Sequence, residues 1–138
     1  MGKLSEEARK AIEAPRLAHL VTLNPDGSPQ VTIVWAGADG DDVVIAHLSR
    51  HRKIENVLRD DRVALSVEAE GNTNGLDNYL VVYGRARITD GGAPEWLQHL
   101  AETYIGPGVK FPPMDDPPAG WLMHIAVDRV AGVGPWGA

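Results

Sequence analysis

The run Ser49-Arg50-His51-Arg52-Lys53 places three of the chain's 13 Lys and Arg residues within four positions. The apolar residues Ile54, Val57 and Leu58 that follow recur at helical spacing, so the run opens a short helix with Ser49 as its predicted cap. A helix N-terminus carries about half a positive charge and several unpaired N–H groups, and clustered cations repel it unless an anion lies among them. Ser49 offers a hydroxyl, Arg52 a guanidinium that can grip phosphate through two parallel hydrogen bonds, and Lys53 an ammonium. The chemistry indicated is recognition of a phosphate or carboxylate. The residue pattern alone leaves open the alternative of a solvated basic face. The formal charge of the whole chain is −6, so the local excess of cations fits one specific anion better than a polyanion. Nucleic acid would call for a broader basic stripe with interleaved aromatics, and aromatic residues make up 6% of the chain.

His47 and His51 stand at a spacing that would put two imidazoles on one helix face, but a helix beginning at Ser49 places them on different elements. With no cysteine and no evident third ligand, metal binding is not indicated, and His47 is more useful beside the anion site as a hydrogen-bonding group. His19, His99 and His124 are scattered and receive no role. The paired acids Asp41-Asp42, Asp60-Asp61 and Asp115-Asp116 fall in expected turns and loops. No GxSxG elbow, P-loop or GxGxxG is present, which removes support for hydrolase and nucleotide-kinase chemistry. Any redox chemistry would have to come from a bound cofactor. Of the four tryptophans, Trp96 and Trp121 read as packing residues, whereas Trp35 beside the basic helix and Trp136 near the chain end suit either a flat ring or a subunit contact.

The elements that must position these groups read as a mainly β, α+β chain. Leu4 to Glu13 reads as a helix capped by Ser5, with Ala8, Ala11 and Ile12 inward. Strands are expected at Leu17–Leu23, Gln30–Trp35 and Val43–Leu48, joined by the turns Asn24-Pro25-Asp26-Gly27 and Asp39-Gly40-Asp41-Asp42 into a meander. Further strands are expected at Arg62–Ala69, Tyr79–Thr89 and Trp121–Val133, with a polar loop from Gly71 to Asn78 and a bulge or bend at Gly84. A helix starts at Pro94 and runs through Tyr104, and the segment Lys110–Pro118, with four prolines in nine residues, forms an irregular surface loop. Six mostly antiparallel strands with short helices on the connections give an antiparallel β-barrel in a single domain over residues 1–138. Hydrophobic content of 43%, no apolar run of membrane-spanning length and a mixed N-terminus lead to the expectation of a cytoplasmic protein.

Taken together, Ser28-Pro29-Gln30-Val31-Thr32-Ile33-Val34-Trp35, the SRHRK helix start through Asn56, and Asp60-Asp61-Arg62-Val63 resemble the split β-barrel flavin and deazaflavin family, the pyridoxamine-phosphate-oxidase-like fold. The stretch Gly106 to Pro118 and the ending Gly132-Val133-Gly134-Pro135-Trp136 look like actinobacterial reductases that use the deazaflavin coenzyme F420. The resemblance covers nearly the whole chain. It implies a homodimer with cofactor sites at the interface, with no nucleic-acid or membrane partner.

By the same resemblance, Ser49, Arg52 and Lys53 would hold the cofactor phosphate and part of the oligoglutamate tail, while Gln30, Thr32, Val34 and Trp35 would line or orient the ring. Ala46 and His47 would meet the cofactor's middle, and Asn78, Tyr79 and Trp136 would complete the site from the second subunit. Pyridoxamine phosphate oxidases carry basic residues where this chain has Gln30 and Trp35, which weakens the oxidase reading. The implied function is hydride transfer from reduced F420 to an electron-poor unsaturated small molecule such as a conjugated lactone or quinone, with no side chain assigned as catalytic. An FMN-dependent oxidoreductase and a non-catalytic F420 carrier are the alternatives.

Overall fold

The computed structural model describes residues 4–136. Its elements in chain order are α1 (Glu6–Glu13), β1 (Ala18–Leu23), β2 (Pro29–Val34), β3 (Gly37–Asp39), β4 (Asp42–His47), α2 (Arg52–Arg59), β5 (Arg62–Thr73), β6 (Leu76–Asp90), α3 (Ala93–Tyr104) and β7 (Trp121–Val133). All the strands lie in one antiparallel sheet in the order β2-β1-β5-β6-β7-β4-β3. The two terminal strands of that order, β2 and β3, are joined in sequence by only Trp35 and Ala36. Two residues span about 7 Å, so the sheet must curl until its ends nearly meet. No hydrogen-bond ladder joins β2 to β3 among the described residues, and the mainly β architecture is therefore a barrel split along this seam.

Seven strands replace the six expected. The extra one, β3, has three residues including Gly37 and Asp39, both poor strand formers, and is held by its pairing with β4. The first three expected strands do not form a meander. β1 pairs with β2, but β4 pairs with β7 at the far end of the sheet. Adjacency in sequence favoured the meander, and the two-residue link across the seam overrode it.

The expected loop from Gly71 to Asn78 is largely strand. β5 and β6 continue past a register shift between Glu68 and Asn72 and close on a two-residue turn in which Asn74 (φ 54°) and Gly75 (φ 86°) both take positive φ. This is the Asn-Gly hairpin turn whose twist matches the flanking strands. Both faces of this arm are exposed over residues 70–77, so the alternation of apolar and polar residues that marks a strand fades while the backbone ladder persists.

The barrel interior is filled by alternate residues: Ala18 and Leu20 of β1, Val43 and Ile45 of β4, Val63, Leu65 and Val67 of β5, Leu80 and Val82 of β6, and Met123, Ile125 and Val127 of β7. α1 covers one opening with Ala8, Ala11 and Ile12, and Ser5 caps it by accepting from the Ala8 N–H at 3.1 Å. α3 lies outside β4, where Trp96 Nε1 donates to the Val44 carbonyl at 3.0 Å. Pro94 is its second residue, since Ala93 is the first and Gly92 caps it in the left-handed region.

The bend at Gly84 is borne out: the β6–β7 register shifts between Tyr83 and Gly84. A Cβ here would collide with the Ala126 carbonyl and lie 2.9 Å from Ile125 Cγ2. Gly84→Ala is therefore expected to destabilise the fold by about 2–4 kcal/mol, read as a Tm fall of roughly 5–15 °C in a thermal melt. An unchanged Tm would show that the bulge relaxes freely.

Candidate functional site

The basic run begins α2, with a shift of two residues from the expected start. His51, not Ser49, is the N-cap residue, and it makes no side-chain capping bond. The chain leaving β4 at His47 needs Leu48 to Arg50 to turn across the barrel rim, and the first helical residue is Arg52. No side chain caps the helix start, the Ile54 N–H donates to the His51 carbonyl at 3.1 Å while those of Arg52 and Lys53 precede any intrahelical acceptor, and the acid Glu55 is engaged by the guanidinium of Arg50. Ser49 and Arg52 are exposed beside this bare helix start. A positive helix end with an uncommitted guanidinium is a ready anion-binding surface.

One face of α2 seats against the sheet through Ile54 and Val57, both buried. Leu58, expected inward, is 55% exposed, and Asn56 takes the inner position instead. Asn56 Nδ2 lies within hydrogen-bond distance of Thr22 Oγ1 (3.1 Å), Asn24 Oδ1 (3.1 Å) and Gln30 Oε1 (3.2 Å). Gln30 thus commits its amide oxygen to the β1–β2–α2 junction. Arg59 also donates to Asn56 Oδ1 at 3.3 Å and to the Leu23 carbonyl.

Beside the seam, between β2 and β4, lies a cleft of about 230 Å3 that brings together five of the residues expected at a site: Val34, Trp35, Ala46, His47 and Lys53. Ile33, Ile45, His51, Leu97 and Phe111 complete its walls. Trp35 stacks on Tyr104, with centroids 5.0 Å apart and planes at 11°, and leans on Phe111 at 5.1 Å. Tyr104 is pinned in turn by donating to the Arg16 carbonyl at 2.9 Å and accepting from the Ala36 N–H at 3.2 Å. Phe111 is placed by Gln98, which accepts from the Phe111 N–H at 2.9 Å and donates to the Val109 carbonyl at 2.6 Å. The proline-rich loop is irregular as expected, and it is held against α3 at this point.

Three titratable groups line this cleft, His47, His51 and Lys53. Lys53 is half-buried with Nζ 3.4 Å from Thr32 Oγ1 on β2, and burial lowers its pKa. His47 is 4% exposed, and its Nε2 is buried without a hydrogen-bond partner among the described residues. Desolvation lowers its pKa to about 3, with the Lys53 ammonium and His51 acting in the same direction. An imidazole held neutral with an unsatisfied nitrogen costs free energy that a ligand hydrogen bond would recover.

The remaining expected residues lie elsewhere in the protomer. Asn78 is buried in the β5–β6 arm, accepting from Thr73 Oγ1 at 2.8 Å and donating to the Glu70 carbonyl at 3.0 Å. With exposed Tyr79 it edges a separate groove beside Arg16, Glu68 and Glu70. Trp136 packs over α1 in a cavity of about 220 Å3 with Lys10, Ala11 and Ala14, its Nε1 buried without a partner among the described residues. Neither group shares a wall with the His47 cleft in the same protomer. Phe111, Leu97 and Asn56 are the participants that sequence reasoning did not single out. Phe111 had one available signal, as the single phenylalanine of the chain, set inside its proline-rich segment.

A sequence profile described as pyridoxamine 5′-phosphate oxidase matches residues 4–134, nearly the whole of the described chain. The chain belongs to the pyridoxamine 5′-phosphate oxidase family. Among curated proteins none matches it. Among solved structures, an F420 reductase from Mycobacterium smegmatis is similar at 25% identity and a TM-score of 0.73, over 93% of this chain and 98% of that one. An FMN-binding protein from Syntrophomonas wolfei shares the fold at 14% identity and a TM-score of 0.68, covering 94% of this chain and 86% of that one. A heme binding protein from Mycobacterium smegmatis does so at 19% identity and a TM-score of 0.67, covering 96% of this chain and 55% of that one. Membership thus fixes the split barrel and points to an oxidoreductase with a flavin or deazaflavin cofactor. No described helix is long and apolar enough to cross a membrane.

The burial of His47 has a pH signature. Unfolded, His47 takes up a proton near pH 6.5; folded, only near pH 3. The stability of the neutral form is complete above pH 6.5 and falls below it by up to ~1.4 kcal/mol per pH unit until about pH 3. Between pH 7.5 and 4.5, urea unfolding of the wild type should lose roughly 2 kcal/mol more than that of His47→Asn. Parallel pH profiles for the two proteins would show that His47 is not held neutral by the fold.

Proposed function

We propose that the protein is an F420-dependent reductase whose cofactor spans the bare N-terminus of α2 and the cleft at the seam. The observation that carries this reading is the juxtaposition of an uncapped helix start bearing Arg52 with an aromatic-walled cleft lined by His47 and Lys53. A ligand with an anionic arm and a flat ring system answers both features. The similarity to an F420 reductase supports the deazaflavin over FMN, as does the excess of cations, which suits a cofactor with additional carboxylates.

In this reading Ser49 and Arg52 hold the phosphate with the first N–H groups of α2. Lys53 turns away from the phosphate toward Thr32 and faces the ring from β2's side, while His47 and the Ala46 backbone approach it from β4. Val34 and Trp35 form the apolar wall, and Phe111 closes the loop side and excludes water. Reduced F420, when bound, supplies a hydride to an electron-poor unsaturated acceptor. The residues of the chain bind, orient and desolvate the reactants, which is why no acid–base dyad is required. Protonation of the product comes from solvent.

The outer face of the sheet supports a homodimer. Val31 and Ile33 of β2 are 58% and 59% exposed, and the cross-strand rows of this face carry Val21, Ala64, Val81, Tyr83, Ala131 and Val133, interspersed with His19, Ser66 and Arg129. An apolar face of this extent on a soluble barrel is an association surface. Because Ile33 borders the cleft, a second copy on this face would lie beside it, and the expected contributors from that copy are Asn78, Tyr79 and Trp136. Val81→Arg should convert a dimer into a monomer by light scattering, and a wild type that is monomeric at tens of micromolar contradicts the assignment.

Fluorescence titration tests the cofactor. The wild type should bind F420 more tightly than FMN, and Arg52→Ala with Lys53→Ala should weaken F420 binding by about 2–4 kcal/mol, at roughly 1.5–3 for each charge-assisted contact less mutual relaxation. Equal F420 affinity in both proteins sinks the assignment of the helix start. Failure to oxidise reduced F420 with any of a panel of lactones, quinones and nitroaromatics would make the protein a carrier.

A further inference from the structure

The cleft is bounded on one side by an edge strand. β2 is hydrogen-bonded to β1 alone, and across the seam it has no ladder to β3. An edge strand held on one side is free to move relative to the rest of a barrel, and a ligand touching both β2 and α2 would feel that freedom as lost affinity. Two contacts tie α2 to β2. Lys53 Nζ approaches Thr32 Oγ1, and Asn56 Nδ2 approaches Gln30 Oε1. The pairs are spaced to match: Lys53 and Asn56 are one helical turn apart, and Thr32 and Gln30 lie two residues apart on one strand face.

Of the two, the Asn56 contact is the stronger constraint. Lys53 is a flexible side chain making a long bond of 3.4 Å. Asn56 is 1% exposed, and its amide meets oxygens from three places, Thr22 of β1, Asn24 of the turn and Gln30 of β2. Thr22 Oγ1, itself 1% exposed, also donates to Gln30 Oε1 at 3.2 Å, so the two Asn56 N–H donors and the Thr22 hydroxyl are shared among the oxygens of a closed junction. Buried polar groups satisfied this fully specify one arrangement, because any slip leaves several of them unpaired.

We infer that Asn56 is a positioning residue: it registers the N-terminal turn of α2 against strand β2 and so fixes the two halves of the ligand site relative to each other. The inference rests on the cofactor spanning both halves, as proposed above. Its distinguishing consequence is that Asn56 matters for a ligand that bridges the halves and not for one that uses α2 alone.

The test compares F420 with inorganic phosphate as a probe of the helix start, using Asn56→Ala and the near-isosteric Thr22→Val, which removes the hydroxyl of the junction with little change in volume. Asn56→Ala should weaken F420 binding at least tenfold and leave phosphate binding within twofold, and Thr22→Val should weaken F420 in the same direction by about threefold. Amide hydrogen exchange read in parallel should speed up in β2, residues 30–34, with β6 and β7 unchanged. Equal losses for F420 and phosphate would reduce Asn56 to a stability residue, and unchanged F420 binding in both variants would remove its role altogether. If the wild type binds neither F420 nor FMN, the cofactor reading falls, while unaltered β2 exchange in both variants would separately overturn the clamp.

Discussion

The structure depends on a sheet that curls far enough to bring its ends together but does not hydrogen-bond them. A two-residue link, Trp35-Ala36, forces β2 and β3 near each other, and the absence of a ladder between them leaves an opening in an otherwise continuous wall. The bulge at Gly84 makes the curl possible by bending β6 where its partner's carbonyl comes close. Everything around the opening then has a mechanical task. α2 spans it on one side, α3 and the proline-rich loop back it on the other, and Tyr104 fixes Trp35 at its corner by hydrogen-bonding to the backbone of residues 16 and 36.

An opening of this kind would be a defect in a barrel built only for stability, because it leaves side chains of mixed character half-buried. Here those side chains are a lysine without a carboxylate partner and a histidine with an unpaired nitrogen. Replacing either by an apolar residue would relieve a desolvation cost. Asn56 and Asn78 are buried within hydrogen-bonded networks, whereas His47 Nε2 in this region and Trp136 Nε1 over α1 are buried without partners among the described residues. Burial lowers the pKa of both groups, and the Lys53 ammonium adds to the lowering at His47, so a neutral imidazole stands near a half-buried lysine.

Much of this was legible in the sequence. Alternation reports one buried face at 18–23 and 62–67, whereas 42–47 is buried on both faces and was legible from its shortness and β-branched content; the cationic run could be placed at a helix start because the apolar period begins there. What stayed hidden depends on contacts remote in sequence. Asn56 occupies an inner helix position that Leu58 seemed to claim, since its partners on β1, the turn and β2 lie 26 to 34 residues away. β3 exists only because β4 is beside it. The β5–β6 arm carries a strong Asn74-Gly75 signal, yet its polar composition on both faces removed the periodicity that normally accompanies it. The resemblance grouped Asn78, Tyr79 and Trp136 with the others, and within one protomer they stand apart from the cleft.

The split barrel by itself does not choose a ligand, so the choice must be argued from the side chains at the seam. A macrocycle held by one axial imidazole would use the cleft and leave the α2 start bare, with Arg52 and the first helical N–H groups facing water. A free phosphate would use the helix start and leave His47 Nε2 unsatisfied. The proposed cofactor, which joins an anionic arm to a planar polar ring, would engage both features. The lateral distance between the two features is set by the α2–β2 junction rather than by either feature alone. Asn56 is not part of the cleft's lining, yet it joins α2 to β2, the elements that carry Lys53 and Val34.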